Sequence, residues 1–255
     1  LRKRPPAWSR RLFRGALVRG RCHGRLANGQ RILERLVRTR DHVHGNQLAH
    51  PPCCCGASIG GGFDGGHVSA HQGRIDWDAL ARADVRFAYI KASEGATYVD
   101  PRFAANWRDA GRAGVRRGAY HRFTLCRSAA AQAANFIRTA PRARDALPPA
   151  VDVENFQDCN SREAVAQIQA FLDAVEAYFG ARPILYVTRQ FHDAHDGDFP
   201  HERFWIRSLY EPPAFRRGDW VIWQHHNGAH RPGIDAPVDL DAFRGDEATF
   251  ARFAR

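Results

Sequence analysis

The sequence predicts an α/β fold whose mainly parallel sheet closes into a barrel over residues 63–255. Three observations carry that prediction. After residue 68 short apolar runs alternate with helical patterns, as parallel strands joined by right-handed crossovers require. The links between the later strands become much shorter. A body of about 190 residues also suits one closed barrel better than an open sheet.

Taken in order, Arg86–Ser93 reads as a mostly apolar strand. Asp100-Pro101 then opens a helix, with Asp as N-cap and Pro at the first helical position. Phe103, Trp107 and Ala110 line one face of it, and Gly114 is placed to end it. Gly118–Phe123 is a second strand, Ser128 caps a helix through Ile137, and Pro149–Asn155 is a third strand. Ser161 opens the clearest helix, where Ile168, Leu172, Val175 and Phe179 follow i, i+4, i+7 and i+11 up to Gly180. Pro183–Thr188, Phe204–Tyr210, Trp220–His225 and Val238–Phe243 are the remaining strands.

The charge is unevenly placed. The chain of 255 residues is 44% hydrophobic and 25% charged, with a formal net charge of +11. Residues 1–60 hold 13 Lys and Arg against 2 acids, so the whole excess sits there and the body is balanced. A basic groove for nucleic acid through the barrel is therefore not expected. No apolar run approaches the roughly 18–20 residues of a membrane span, and no unbroken apolar stretch reads as an export signal. Residues 1–62 form a basic, low-complexity segment rich in Arg, Gly and His, with one short helical pattern at Ile32, Leu33, Leu36 and Val37 and no second apolar face. Two readings stay open: a disordered tail, or GC-rich DNA read out of frame, given 36 Arg against only Lys3 and Lys91. A third, a nucleic-acid-binding arm, would bind with a steep salt dependence. The glycines at 60–62 and 65–66 mark the boundary. Cys53-Cys54-Cys55, with His42, His44 and His50 nearby, lacks paired metal spacing. His192/His195 and His225-His226 read as surface or supporting residues. No metal or cofactor is expected.

The chemistry centres on Asp152-Val153-Glu154. Positions i and i+2 of a strand share a face, so both carboxylates project into the barrel while Val151 and Val153 face the helices. Mutual repulsion and lost solvation raise the pKa of at least one of them, as a general acid requires. Such a pair can protonate a glycosidic oxygen and stabilise the cation that forms. Tyr89, Tyr120, Phe123, Tyr186, Trp205 and Trp223 fall on or near strands, where they either fill the core or stack on sugars. Gln224 and Asp239 lie on late strands and could hydrogen-bond a substrate.

Several motifs in order then resemble glycoside hydrolase family 25, the Chalaropsis-type lysozymes. They are Val68-Ser69-Ala70-His71-Gln72-Gly73 with Ile75-Asp76-Trp77, Tyr89–Gly95, Tyr98–Pro101, Gly118–His121, Leu147–Glu154, Trp223-Gln224, Pro232–Ile234 and Val238–Asp241. The resemblance covers roughly residues 68–246. It implies an irregular TIM-like (β/α) barrel of about five β/α units followed by three further strands. It further implies a metal-free N-acetylmuramidase that cleaves the β-1,4 bond between N-acetylmuramic acid and N-acetylglucosamine in peptidoglycan. By position, Glu154 matches the proton donor, Asp152 the partner carboxylate and Asp239 a further pocket carboxylate. Retention of configuration is favoured, with enzyme and substrate both open as nucleophile. His67, Tyr89, Lys91, Glu94, Tyr120, Tyr186, Trp205 and Gln224 are the expected substrate-binding positions.

One departure stands out. The family's first-strand Asp falls on His67, and Asp64, three residues earlier, belongs to the opposite face of a regular strand. Either the first strand is disrupted or His67 is a working hydrogen-bonding replacement. A catalytically impaired peptidoglycan-binding protein is the alternative function. Cys126 and Cys159, each just past a strand expected to neighbour the other, are a disulfide candidate, which fits an oxidising compartment outside the cytoplasm. A monomer is expected.

Overall fold

The computed structural model describes residues 63–154, 161–195, 197–213 and 220–254. The basic segment, the Cys53–Cys55 cluster and Cys159 lie outside the described residues. Among the described residues nine strands form one sheet: β1 (Phe63–Val68), β2 (Phe87–Glu94), β3 (Tyr98–Val99), β4 (Arg116–Arg122), β5 (Ala150–Val153), β6 (Ile184–Thr188), β7 (Phe204–Arg207), β8 (Trp220–Arg231) and β9 (Ile234–Phe243). The order is β1-β9-β8-β7-β6-β5-β4-β2-β3, and β1 also pairs with β2, so eight strands close a barrel and β3 hangs on its edge. Seven barrel strands run parallel; β9 is antiparallel to both of its neighbours.

Helices α1 (Trp77–Arg82), α2 (Phe103–Arg112), α3 (Ala129–Thr139), α4 (Ser161–Phe179) and α5 (Arg189–Ala194) follow β1, β2 with its β3 arm, β4, β5 and β6. Five β/α units followed by three strands is the architecture that the motifs imply. α6 (Glu247–Phe253) closes the chain.

Alternation sorts the side chains into two cores. Val151 and Val153 face outward and pack with Ile168, Phe171, Leu172 and Val175 of α4. Inward-facing Phe63, Phe87, Ile222 and Phe243 form the floor with Phe250 and Phe253 of α6. Phe250 stacks on Phe63 at 4.9 Å between ring centroids and meets Phe243 edge-on at 5.1 Å. Phe63 and Phe87 begin their strands and Phe243 ends an antiparallel one, so α6 plugs the N-terminal end of the barrel. The opposite, C-terminal end is left as the mouth.

Glycine is required where the inner wall is crowded. A Cβ at Gly65 would run into the Phe87 ring, and one at Gly118 into the Tyr89 ring. Two bulky aromatics therefore fill the inner layer from β2 because their neighbouring strands contribute no side chain there.

Several expected boundaries move. Asp100 does not cap α2; its carboxylate accepts from the Arg102 and Ala70 amides, both at 2.9 Å, and ties the β3 arm to the loop after β1. Ser128 does cap α3, through the Ala131 amide at 3.3 Å. β7 stops at Arg207 rather than Tyr210, because Ser208 and Tyr210 turn their amides toward the Gln224 and His225 carbonyls, with Tyr210 at φ 68°. β8 and β9 are longer than expected and form a hairpin closed by Gly233 at φ 88°. Helices α1, α5 and α6 have only six or seven residues, too short to show a periodicity.

Candidate active site

Around the mouth, the inward residues toward the C-terminal ends of the parallel strands, and those opposite them on antiparallel β9, are polar or aromatic. β1 contributes His67, β2 Lys91, β4 Tyr120 and Arg122, β5 Asp152 and the adjoining Glu154, β6 Tyr186, β7 Arg207, β8 Gln224, and β9 Asp239 and Asp241. The register places His67 opposite both Tyr89 and Asp239, and Asp152 between Arg122 and Tyr186.

His67 sits at the centre of a charged cluster. Its Nδ1 is 2.9 Å from Asp241 Oδ2 and its Nε2 is 2.9 Å from Asp239 Oδ2. Trp205 and Tyr186 meet the ring edge-on, at 4.9 Å and 5.9 Å between centroids. Burial by itself pulls the imidazole down. The Asp241 charge and the hydrogen bonds to Asp239 and Asp241 outweigh it and raise His67 from 6.5 to about 10. Asp241 is 0% exposed and also accepts from the Trp205 indole at 2.8 Å. Asp239 is 28% exposed. Burial works against its ionisation, yet the hydrogen bond to His67 and the charges of His67 and Arg207 hold its carboxyl below the usual range.

A second line leads away from this cluster. Gln224 Nε2 donates to Asp239 Oδ1 at 2.8 Å, and Gln224 Oε1 lies 2.7 Å from the Tyr186 hydroxyl. That hydroxyl is also 3.2 Å from Glu154 Oε1. Burial, then the charges of Asp152 and Glu154, keep the Tyr186 phenol neutral well past its ordinary value.

Asp152 and Glu154 open onto the mouth from the same side. Burial first, and then the Glu154 charge, raise Asp152 from 3.8 to about 7, against the opposing pull of Arg122 and His67. Asp152 Oδ1 is buried and has no hydrogen-bond partner among the described residues. Glu154 is 29% exposed, with Arg122 Nη2 at 3.8 Å from its Oε2. The other Arg122 nitrogen is 3.8 Å from Glu94, which also pairs with Lys91. Two neighbouring carboxyls that share one proton can between them supply it to a bridging oxygen and stabilise the charge that builds on the adjoining carbon.

The structure brings together Glu154, Asp152, Asp239, His67, Tyr120, Tyr186 and Gln224. Lys91 is buried and reaches the group through Glu94 and Arg122. Two expected positions are corrected. Tyr89 is 0% exposed and donates its hydroxyl proton to the Pro148 carbonyl at 3.0 Å. Trp205 is 1% exposed, enclosed by Tyr89, Tyr186 and His67. Neither ring can stack on a sugar; both support the floor of the site. Asp241 and Arg122 are functional neighbours that the sequence reading passed over. Asp241 was readable: Asp239-Leu240-Asp241 repeats the i, i+2 spacing of Asp152 and Glu154.

The first strand is not disrupted, since Phe63–Val68 pairs on both sides. Asp64 is exposed on the outer face, 4.0 Å from Arg231. Cys126 is disulfide-bonded; Cys159, its expected partner, is not among the described residues. No group of three or more His, Cys, Asp or Glu among the described residues is placed to hold a metal ion.

Residues 67–234 match the family model described as glycosyl hydrolases family 25. The chain belongs to glycoside hydrolase family 25. This family 25 chain is 34% identical over 189 residues to the uncharacterized protein YegX of Escherichia coli K12, covering 70% of the chain and 68% of that protein. It is 30% identical to lysozyme M1 of Streptomyces globisporus, covering 76% and 71% respectively. A family 25 glycosyl hydrolase from Bacillus anthracis superposes with a TM-score of 0.71 at 31% identity, over 78% of this chain and 100% of that one. The family 25 chain is thus a glycoside hydrolase built on an α/β barrel.

Proposed function

We propose that this glycoside hydrolase is a muramidase that cleaves the β-1,4 bond between N-acetylmuramic acid and N-acetylglucosamine in peptidoglycan. Glu154 donates the proton to the leaving oxygen. Asp152 is the partner carboxylate, its unfilled Oδ1 accepting the N–H of the substrate's acetamido group. Asp239, held ionised by His67, completes the pocket. The observation that carries the reading is the Asp152–Glu154 pair on one inner face at the open mouth, its inner member raised to about 7 with an orphaned oxygen. The lysozyme relative from Streptomyces and an N,O-diacetylmuramidase from Arthroderma benhamiae, 27% identical, support the choice of substrate. Peptidoglycan lies outside the cytoplasmic membrane, and the enzyme acts there as a monomer; among the described residues no helix is long and apolar enough to cross a membrane.

The test is turbidity loss of purified cell walls. The native chain lyses them, and Glu154→Gln abolishes lysis. Undiminished lysis by Glu154→Gln overturns the assignment. The rival, a wall-binding protein with impaired catalysis, draws on His67 standing where the family has Asp. It predicts that the native chain sediments with walls without lysing them.

A further inference from the structure

Each donor and acceptor on one line through the site has a direction that its neighbour dictates. Both His67 ring nitrogens face carboxylate oxygens at 2.9 Å, so the ring donates through both and is an imidazolium. Asp239, an ionised carboxylate, can only accept. Gln224 Nε2 reaches Asp239 Oδ1 at 2.8 Å and the His226 carbonyl at 3.5 Å. Two acceptors on one side orient the amide with its nitrogen toward Asp239. Its oxygen is then turned to the Tyr186 hydroxyl at 2.7 Å, and an amide oxygen has no proton to give. Tyr186 therefore donates to Gln224, and a phenol has one proton. The same hydroxyl lies within donating distance of Glu154 Oε1, at 3.2 Å. With its one proton given to the nearer Gln224 oxygen, it can act toward Glu154 only as an acceptor from that residue's acid form.

We propose that Tyr186 and Gln224 are positioning residues that hold the catalytic proton on Glu154. The order His67–Asp239–Gln224–Tyr186 presents Glu154 with an acceptor and no donor, so its acid form gains a hydrogen bond that its ionised form lacks. This deepens the muramidase reading and rests on it.

The other groups facing Glu154 are Asp152 on β5 and, on β4, the Tyr120 phenol, kept neutral by burial, and Arg122, 3.8 Å away and shared with Glu94 of β2. Arg122 favours the ionised form of Glu154; a charged Asp152 favours the acid. Asp152 competes for the same proton, because its buried Oδ1 has no partner among the described residues. A substrate N–H at that oxygen lets Asp152 ionise and leaves the proton with Glu154. It then passes to the glycosidic oxygen as the C–O bond breaks. Water supplies hydroxide to the sugar and returns a proton to the Glu154 carboxylate.

The experiment measures kcat against pH on soluble peptidoglycan glycan fragments, because kcat reports the bound complex. Tyr186→Phe keeps the ring and removes the acceptor. Its basic limb is expected about one pH unit below that of the native enzyme, the tenfold effect of one ordinary hydrogen bond. Gln224→Leu frees the Tyr186 proton to turn toward Glu154, so its basic limb falls further still. Carbon-13 NMR titration of Glu154 with a bound, non-hydrolysed fragment, assigned by Glu154→Gln, reads the same shift in Tyr186→Phe should Gln224→Leu not fold. A basic limb and a Glu154 titration unchanged in Tyr186→Phe overturn the proposal while leaving the muramidase reading intact. Undiminished turnover by Glu154→Gln removes that reading and the proposal with it.

Discussion

Replacing His67 separates a charged clamp from a passive substitution. The ring is 15% exposed and bridges two carboxylates, one of them wholly buried. Its pKa in the folded chain, about 10, lies above the ordinary 6.5. The native state therefore keeps a proton that the unfolded chain releases, and the stabilisation is fully present below about pH 6.5. It declines by about 1.4 kcal/mol per pH unit between there and about pH 10, where it is gone. Integrated over that window, the ceiling is on the order of 5 kcal/mol. Removing one partner of a buried charge pair costs about 3–5 kcal/mol, a comparable size. For a barrel of this length, a loss of about 4 kcal/mol lowers Tm by roughly 8–16 °C.

The assay compares urea or thermal unfolding of the native chain and of His67→Gln from pH 5 to 10.5, so that groups common to both cancel. The difference is expected to be flat to about pH 6.5 and to shrink toward zero by about pH 10. His67→Asp, which restores the family's usual residue, would set a third carboxylate among two and is expected to be less stable than His67→Gln at neutral pH. A difference that does not vary with pH, or a His67→Asp protein more stable than the native chain, would refute the charged clamp.

Three further outcomes follow from the same geometry. Phe250→Ala, which removes the α6 plug from the floor, should cost about 3–5 kcal/mol in chemical unfolding and leave KM unchanged, because the plug lies at the end opposite the mouth. Asp152→Asn should abolish wall lysis yet unfold at a higher temperature than the native chain at pH 8. A carboxyl whose folded pKa is raised weakens the fold progressively from its unfolded value upward, and fully above about 7, so the gain should vanish at pH 3. Deleting residues 1–62 should leave wall lysis and the unfolding midpoint unchanged if the barrel begins at residue 63, as the composition break proposes; calorimetry and turbidity loss read both.

Local chemistry made much of the molecule readable without coordinates. Period-2 alternation placed Val151 and Val153 outward and Asp152 inward, because a strand has only two faces. Period-3.6 spacing at Ile168, Leu172 and Val175 located α4, and Gly114 and Gly180 marked helix ends, where both adopt positive φ. Asp64 was correctly set on the outer face by its odd offset from His67. Only closure of the sheet decided the rest. Pairing β1 with β9 brought His67 against Asp239 and Asp241, more than 170 residues away along the chain, and so turned an apparent loss of a carboxylate into an imidazolium between two. It also enclosed Tyr89 and Trp205, whose alternation shows that they face inward but not that the inner layer at their height is filled. Depth along a barrel axis depends on strand stagger and on what the neighbouring strands contribute, such as the missing side chains at Gly65 and Gly118. None of that is local, so no reading of one segment at a time could supply it.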